Sequence, residues 1–390
     1  MSNKKKQLVF VGLSGGVDSA VAAGLLKKDG YNVVGVFMKC WAPETTTRNN
    51  IEEGTEQQNL IGCGWEKDEE DARQVAAKLK IPFYSWDFTK EYRKKVVDYL
   101  IDGYKNGITP NPDIECNREI KFGMFLKRAL KMGANFVATG HYVRIKACKS
   151  RVTDHRLVYK LLKGIDGNKD QSYFLWTLTQ EQLKYCLFPV GEYIKPQIRK
   201  LAKKWDLPVK DKPDSQGICF IGKVNIEDFL KQYIKSKPGK IRTTDGKIIG
   251  EHQGLETYTT GQRRGIRIGG GIPYFVVKKD FDKNELIIGK GRKNEALFKK
   301  KLIAIDLNWI SGKTPKLPLK CQAKIRYRQP DQKCIIENNE NDITTKGSEE
   351  EKIKVVFKEK QRAITAGQSV VFYNNDKILG GGVIDTLKIA

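Results

Sequence analysis

The chain has 390 residues, enough for about two or three domains with cores of their own. Hydrophobic residues make up 39% of it, and no apolar run approaches the roughly 20 residues that cross a bilayer, so the composition predicts a soluble globular protein and excludes a helical membrane protein. The formal charge of +25 is large for an enzyme of small anionic metabolites; it points to a polyanionic partner, most commonly nucleic acid, unless it only reflects the lysine usage of an AT-biased genome.

The opening Met1-Ser-Asn-Lys-Lys-Lys-Gln7 runs straight into the first strand, which leaves no room for a signal or transit peptide and predicts a cytoplasmic protein. Eight cysteines in such a chain predict reduced thiols, some with chemical roles, and not a disulfide framework. That first strand is the apolar run Leu8-Val-Phe-Val11, followed by Gly12, Leu13, Ser14, Gly15 and Gly16 and by a helix over Val17–Lys28. A strand, a glycine turn and a helix N-terminus together form an anion site, because free N–H groups and the helix dipole point at the ligand. The stretch lacks the lysine of G-x-x-x-x-G-K-[ST] and does not match G-x-G-x-x-G, so neither common nucleotide fingerprint applies. Its plainest structural reading is a tight turn with Ser14 as a cap.

A second buried strand is predicted over Asn32–Lys39, and 43–65 is polar and irregular. Cys40 and Cys63 lack C-x-x-C spacing and read as ordinary thiols. A helix at 66–79, a strand at 81–87 and a helix at 91–104 continue the alternation, which predicts a doubly wound parallel sheet with its ligand at the carboxyl ends of the strands. In Thr109-Pro-Asn111-Pro112-Asp113-Ile-Glu-Cys116-Asn117 the two prolines predict a loop, with Asn117 capping a helix at 118–132. Cys116 would then stand before a helix N-terminus, whose positive field lowers a thiol pKa from about 8.5, with Asp113 nearby; the alternative is an Asx turn with a passenger thiol. A fourth strand runs into Gly140, where a nucleotide could approach the backbone, and His141, which is expected to face the cleft.

A short strand at 157–164 precedes the polar loop Lys169-Asp170-Gln171. Helices are predicted at 180–187 and 195–205, the second with Lys195, Arg199, Lys200, Lys203 and Lys204 on one face, suited to phosphate or simply solvated. A second loop cysteine, Cys219, follows. From 225 the alternation gives way to one helix at 226–235 and Gly- and Thr-rich hairpins, in which Arg263, Arg264 and Arg267 form a basic ribbon suited to a phosphate backbone. Short strands at 320–328, 354–357, 369–373 and 378–384 predict a small β-barrel, with both arginines of Ile325-Arg326-Tyr327-Arg328 on one strand face, Cys321 and Cys334 as core thiols, and an acidic hairpin tip at 337–351.

Taken jointly, SGGVDS (14–19), NPDIECN (111–117), ATGHY (138–142), KDQSYF (169–174) and SQGICF (215–220), with the stretches 265–271, 273–276 and 366–372, resemble the tRNA-specific 2-thiouridylases. These are PP-loop ATP pyrophosphatases that sulfurate the wobble uridine of tRNA. The resemblance covers nearly the whole chain and implies an α/β architecture: a PP-loop catalytic domain of the adenine nucleotide α-hydrolase type (1–222), a small central β-rich domain contacting tRNA (223–292) and a C-terminal β-barrel (293–390). It implies that Gly12, Leu13, Ser14, Gly15, Gly16, Val17, Asp18 and Ser19 bind the phosphates of ATP, accompanied by Mg²⁺, and that Met38 and Gly140 hold the adenosine. Asn111, Pro112 and Asp113 would contact the target base, Asp113 also serving catalysis. Cys219 would carry a persulfide with Cys116 as its partner, and His141, Lys169, Asp170, Gln171, Arg326, Tyr327 and Gln368 would meet the tRNA. An upstream sulfur carrier or cysteine desulfurase would load Cys219, and no membrane is involved. One departure stands out: Gly217 occupies a place where the family more often has aspartate.

The residue types fit that chemistry. The C2 oxygen of uridine is a poor leaving group until ATP converts it to an adenylate, and a persulfide is a suitable nucleophile to replace it. Cys116 would then either cleave the persulfide, forming a disulfide with Cys219, or donate a proton. An adenylating synthetase of a small molecule, or a tRNA-binding protein with a vestigial loop, are the competing readings.

Overall fold

A computed structural model describes residues 7–41, 65–149, 157–214, 226–269, 271–339 and 351–385. The run Leu8–Gly12 is the central strand of a five-stranded sheet in the order Phe83–Asp87, Asn32–Lys39, Leu8–Gly12, Phe136–Ala138, Cys186–Leu187, all parallel. Its alternate side chains serve two cores, as a strand buried on both faces requires. Val9 and Val11 pack with Val21 and Leu25 of the helix Val17–Lys28 and with Ala72 and Val75 of the helix Trp65–Leu79, while Phe10 meets Trp86, Phe125 and Val137 on the other side. Helices thus lie on both faces, and the doubly wound sheet read from the alternation is present.

The helix expected at 118–132 begins earlier, at Pro112. Proline is tolerated in a first turn because its missing N–H would have no partner there. Asn111 caps that turn, its Oδ1 accepting from the N–H groups of Asp113 and Ile114 at 3.2 and 3.3 Å. Pro112–Glu115 is α-helical, Cys116–Phe125 winds in wider π turns, and Leu126–Lys131 returns to α. Cys116 therefore lies inside a helix and not ahead of one, and Asn117 is not its cap. The helix expected at 180–187 is also shorter: Thr179 and Gln182 cap Gln180–Leu183 reciprocally, and Cys186–Leu187 becomes the edge strand of the sheet. The strand Val143–Lys149 has no counterpart in the sequence reading; it pairs antiparallel with Leu157–Lys163.

Two further β units follow. Tyr274–Asp280, Glu285–Lys290, Gly239–Thr243 and Ile248–His252 form a four-stranded sheet over a small core of Ile241, Val276, Leu286 and Ile288. The exposed Arg263, Arg264 and Arg267 precede its strand Tyr274–Asp280. Phe298–Trp309, Ile353–Arg362, Gln332–Asn338, Leu319–Lys324, Ser369–Asn374 and Lys377–Ile384 then form an antiparallel barrel, closed by pairing of the first strand with the last. The strand expected at 320–328 ends at Lys324, so Arg326 and Tyr327 belong to the turn that follows, where Arg328 has φ +61°. Residues 340–350 of the expected acidic tip lie outside the described residues.

Phe125 ties the helix over 112–131 to the sheet, with its ring 5.7 Å from that of Trp86 and no exposed surface. Phe125→Ala should cost about 3–5 kcal/mol in a urea titration; a loss below about 1 kcal/mol would mean that this face is not the packed one.

Candidate active site

The loop between Gly12 and Val17 has the shape of an anion cradle. Gly15 has φ +68°, and a side chain there would collide with the Asp68 carbonyl; Gly16 is extended at the helix N-terminus and offers no side-chain cap. The first N–H groups of the helix are thus left to a ligand. Ser19 organises the turn from inside: its Oγ donates to the Gly16 carbonyl at 3.1 Å and accepts from the Ser14 N–H at 3.2 Å. Gly140 closes on the same point from the fourth strand, because a Cβ there would stand 2.6 Å from the Ser19 nitrogen. At Gly12 a Cβ would stand 3.0 Å from Cε of the buried Met38.

The motif has no lysine of its own, but the fold brings one. Lys195, at the start of the helix Lys195–Lys204, donates to both oxygens of Asp18 at 2.7 and 2.9 Å and lies 2.7 Å from Asp214. The Tyr142 hydroxyl also donates to Asp18, at 2.7 Å. Arg199 reaches Asp214 at 2.7 Å, and Lys169 pairs with the same carboxylate. Burial alone would raise the Asp214 pKa; hydrogen bonds from Lys169 and Lys195 outweigh it and hold the carboxyl well below its ordinary range. Burial and the neighbouring Asp18 push the Tyr142 hydroxyl far up, so it stays a donor. Of the basic face read from the sequence, Lys195 and Arg199 therefore serve this cluster. Nothing in the sequence pairs residue 18 with 195 or 214; the only local signal was the excess of cations on one helix.

Cys116 is fully buried at the start of the π turns. Six residues further along the same helix, Phe122 packs on His141 with ring centroids 5.8 Å apart. Asn117 donates through Nδ2 to the Phe174 carbonyl at 3.2 Å, and its buried Oδ1 has no hydrogen-bond partner among the described residues. Burial pushes Glu115 up, against the opposing Arg118 at 2.6 Å.

The other expected site residues are spent on internal bonds. His141 is buried, hydrogen-bonded to Thr139 at 2.7 Å, and desolvation lowers its pKa well below the ordinary value. Asp170 accepts from the N–H groups of Gly164 and Ser172, and Gln171 accepts from the Tyr142 N–H at 3.0 Å. Arg326 donates to the carbonyls of Arg362 and Ala363, and Tyr327 lies against Phe174 with ring centroids 4.6 Å apart. Gln368 donates to the Thr109 carbonyl at 2.8 Å, just before Asn111, Pro112 and Asp113. The structure thus gathers the loop, Met38, Gly140, Lys169 and Asp214 in one cluster, and joins the 109–117 segment to Phe174, Tyr327 and Gln368. Cys219 lies outside the described residues.

Because the folded pKa of Asp214 is depressed, its stabilisation is complete above the unfolded value of about 3.9 and is lost as pH falls through the folded one. The stability difference between the wild type and Asp214→Asn, measured by urea titration, should therefore stay constant from about pH 8 to 5 and shrink below about pH 4. It should be modest, since about a third of the side chain meets solvent.

Three family models match the chain in succession: a tRNA methyl transferase HUP domain over residues 7–223, a tRNA methyl transferase PRC-barrel domain over 227–290 and an aminomethyltransferase beta-barrel domain over 299–384. The tRNA-specific 2-thiouridylase MnmA of Bacillus cytotoxicus is 45% identical over 97% of this chain and 94% of its own. Its counterparts in Oceanobacillus iheyensis and Listeria monocytogenes are 45% and 44% identical, each over 99% of this chain and over 97% and 96% of their own. Among solved structures, an NMN synthetase from Francisella tularensis aligns at 17% identity over 59% of this chain and 79% of that one, with a TM-score of 0.32, too low a likeness to carry an argument. On the strength of the near full-length relatives, the chain belongs to the tRNA-specific 2-thiouridylase family.

Proposed function

We propose that the protein thiolates the wobble uridine of tRNA at C2, using ATP to adenylate the C2 oxygen and a cysteine persulfide to supply sulfur, and yielding 2-thiouridine, AMP and pyrophosphate. The observation that carries this reading is the 45% identity, over 97% of the chain, to a relative named for that activity. The uncapped helix N-terminus behind Gly15 and Gly16 supports the ATP half, with Gly12 to Ser19 taking the phosphates and Met38 and Gly140 bordering the adenosine. Mg²⁺ bound with ATP offsets phosphate charge.

The thiol half rests on Cys116, Cys219 and Asp113. The terminal sulfur of a Cys219 persulfide attacks C2, a C–S bond forms and AMP leaves with the former C2 oxygen. The Cys116 thiolate then attacks the inner sulfur and breaks the S–S bond, which leaves 2-thiouridine and a Cys116–Cys219 disulfide for an external thiol to reduce. Asn111, Pro112 and Asp113 line the base on this reading. His141, Lys169, Asp170, Gln171, Arg326, Tyr327 and Gln368 act by shaping the walls that tRNA meets, since their bonds are internal. The charge of +25 and the exposed Arg263, Arg264 and Arg267 suit a tRNA backbone. A persulfide-bearing protein supplies the sulfur, and the setting is the cytoplasm; no helix among the described residues is long and apolar enough to cross a membrane.

Cys219→Ser and Cys116→Ser should abolish 2-thiouridine, read by mass spectrometry of tRNA nucleosides, while tRNA-stimulated pyrophosphate release continues. A small-molecule synthetase would keep its activity in Cys219→Ser, and a mere tRNA binder would release no pyrophosphate. Replacing Arg263, Arg264 and Arg267 by alanine should weaken tRNA binding and reduce the slope of log K against log salt by about 2 to 3; an unchanged slope would remove these arginines from the interface.

A further inference from the structure

The barrel carries a pair of thiols that the thiolation chemistry does not use. Cys321 and Cys334 are direct partners on the antiparallel strands Leu319–Lys324 and Gln332–Asn338, with their sulfurs 3.6 Å apart. Directly opposed residues on such strands have Cα atoms about 4.5 or 5.5 Å apart, within the roughly 4.4–6.8 Å that a disulfide spans. Cys334 is buried in the barrel core, whereas Cys321 is partly exposed and is the more accessible of the pair. Both line a cavity of about 590 Å³ at the end of that core, and the exposed Lys300, Lys320, Lys333 and Lys358 line it as well. A cationic rim around a thiol draws in anionic reagents.

We propose that this barrel mouth is a reaction site for anionic low-molecular-weight disulfides, at which Cys321 and Cys334 are reversibly joined. The Cys321 thiolate attacks one sulfur of the reagent RSSR, forming a mixed disulfide and releasing the first RS⁻. Cys334 gives its proton to solvent and attacks the Cys321 sulfur, which forms the Cys321–Cys334 bond and releases the second RS⁻. Two protein thiols are oxidised and one external disulfide is reduced to two thiols. The hydrogen bond in which the Cys334 thiol donates to Cys321, together with burial, pushes the Cys334 pKa up, consistent with Cys321 making the first attack. The bond would staple the base of the hairpin whose turn holds Arg326 and Tyr327, the latter packed on Phe174.

The test treats the full-length protein with glutathione disulfide at neutral pH, blocks residual thiols, and maps cysteine peptides without reduction. The expected product is a linked pair of peptides carrying residues 321 and 334, short of two hydrogens and restored by added thiol, with Cys321→Ser leaving Cys334 as an unmodified thiol. A glutathione adduct on Cys321 that never resolves, or no reaction at either cysteine, overturns the proposal. Lys320→Gln with Lys333→Gln should slow the reaction with glutathione disulfide several-fold and leave that with the uncharged 2-hydroxyethyl disulfide unchanged. Equal rates with both reagents in wild type and variant would overturn the assignment of an anionic reagent.

Discussion

One ammonium group holds the candidate site together. Lys195 stands 2.7 Å from Asp18 on the first helix and 2.7 Å from Asp214, nearly two hundred positions further on. Both carboxylates are only part-exposed, so without the cation their repulsion would be weakly screened. Many nucleotide-binding loops carry a phosphate lysine within the motif itself. Here the glycine loop is left free to be short and uncharged, and the positive group arrives on a separate helix whose own first turn is fixed by Asp166 accepting from the Lys195 N–H at 2.8 Å. A phosphate in the cradle would enter a field already set by Lys195, Lys169 and Arg199, with each of these cations held in place by Asp214.

The second constraint is the meeting of the barrel with the segment that leads to Cys116. Thr109 donates its N–H to the Ala366 carbonyl at 2.9 Å, and Gln368 donates to the Thr109 carbonyl at 2.8 Å. Gly367, at φ +85°, sits where a side chain would press on Ile108 and Thr109. The Asn111 cap and the π turns begin immediately afterwards, so the pose of Cys116 is set at one end by the barrel and at the other by Phe122 and Phe125 against the sheet.

The parallel sheet was legible because Leu8–Gly12 and Asn32–Lys39 are continuous apolar runs separated by a glycine turn and a helix, a pattern that leaves few other folds. The barrel was legible from turn spacing, although Arg326 and Tyr327 fell beyond their strand because alternation continues a few residues past the last ladder bond. The reading of 109–117 misjudged the prolines: Pro110 stays outside the helix, while Pro112 starts it, a difference that depends on Asn111 turning its side chain back onto Asp113 and Ile114. The glycine loop and its helix were visible; its cationic partner was not, because ion pairs between residues 18, 195 and 214 leave no periodic trace. His141 was read as facing the cleft from its place after a strand, yet Phe122 and Phe188 enclose it, and aromatic neighbours from distant segments cannot be seen in a local pattern.

The brace between Thr109 and the 366–368 turn has a consequence for how the chain comes into being. Domains tend to fold from the N-terminus as they leave the ribosome. The sheet and its glycine loop can settle early, but the backbone ahead of Asn111 waits for the Ala366 carbonyl and the Gln368 side-chain amide, in the turn that precedes the last two strands. A nascent chain would have its glycine loop in place long before the segment carrying Cys116 is firm, so the two parts of the candidate site would be completed at different times.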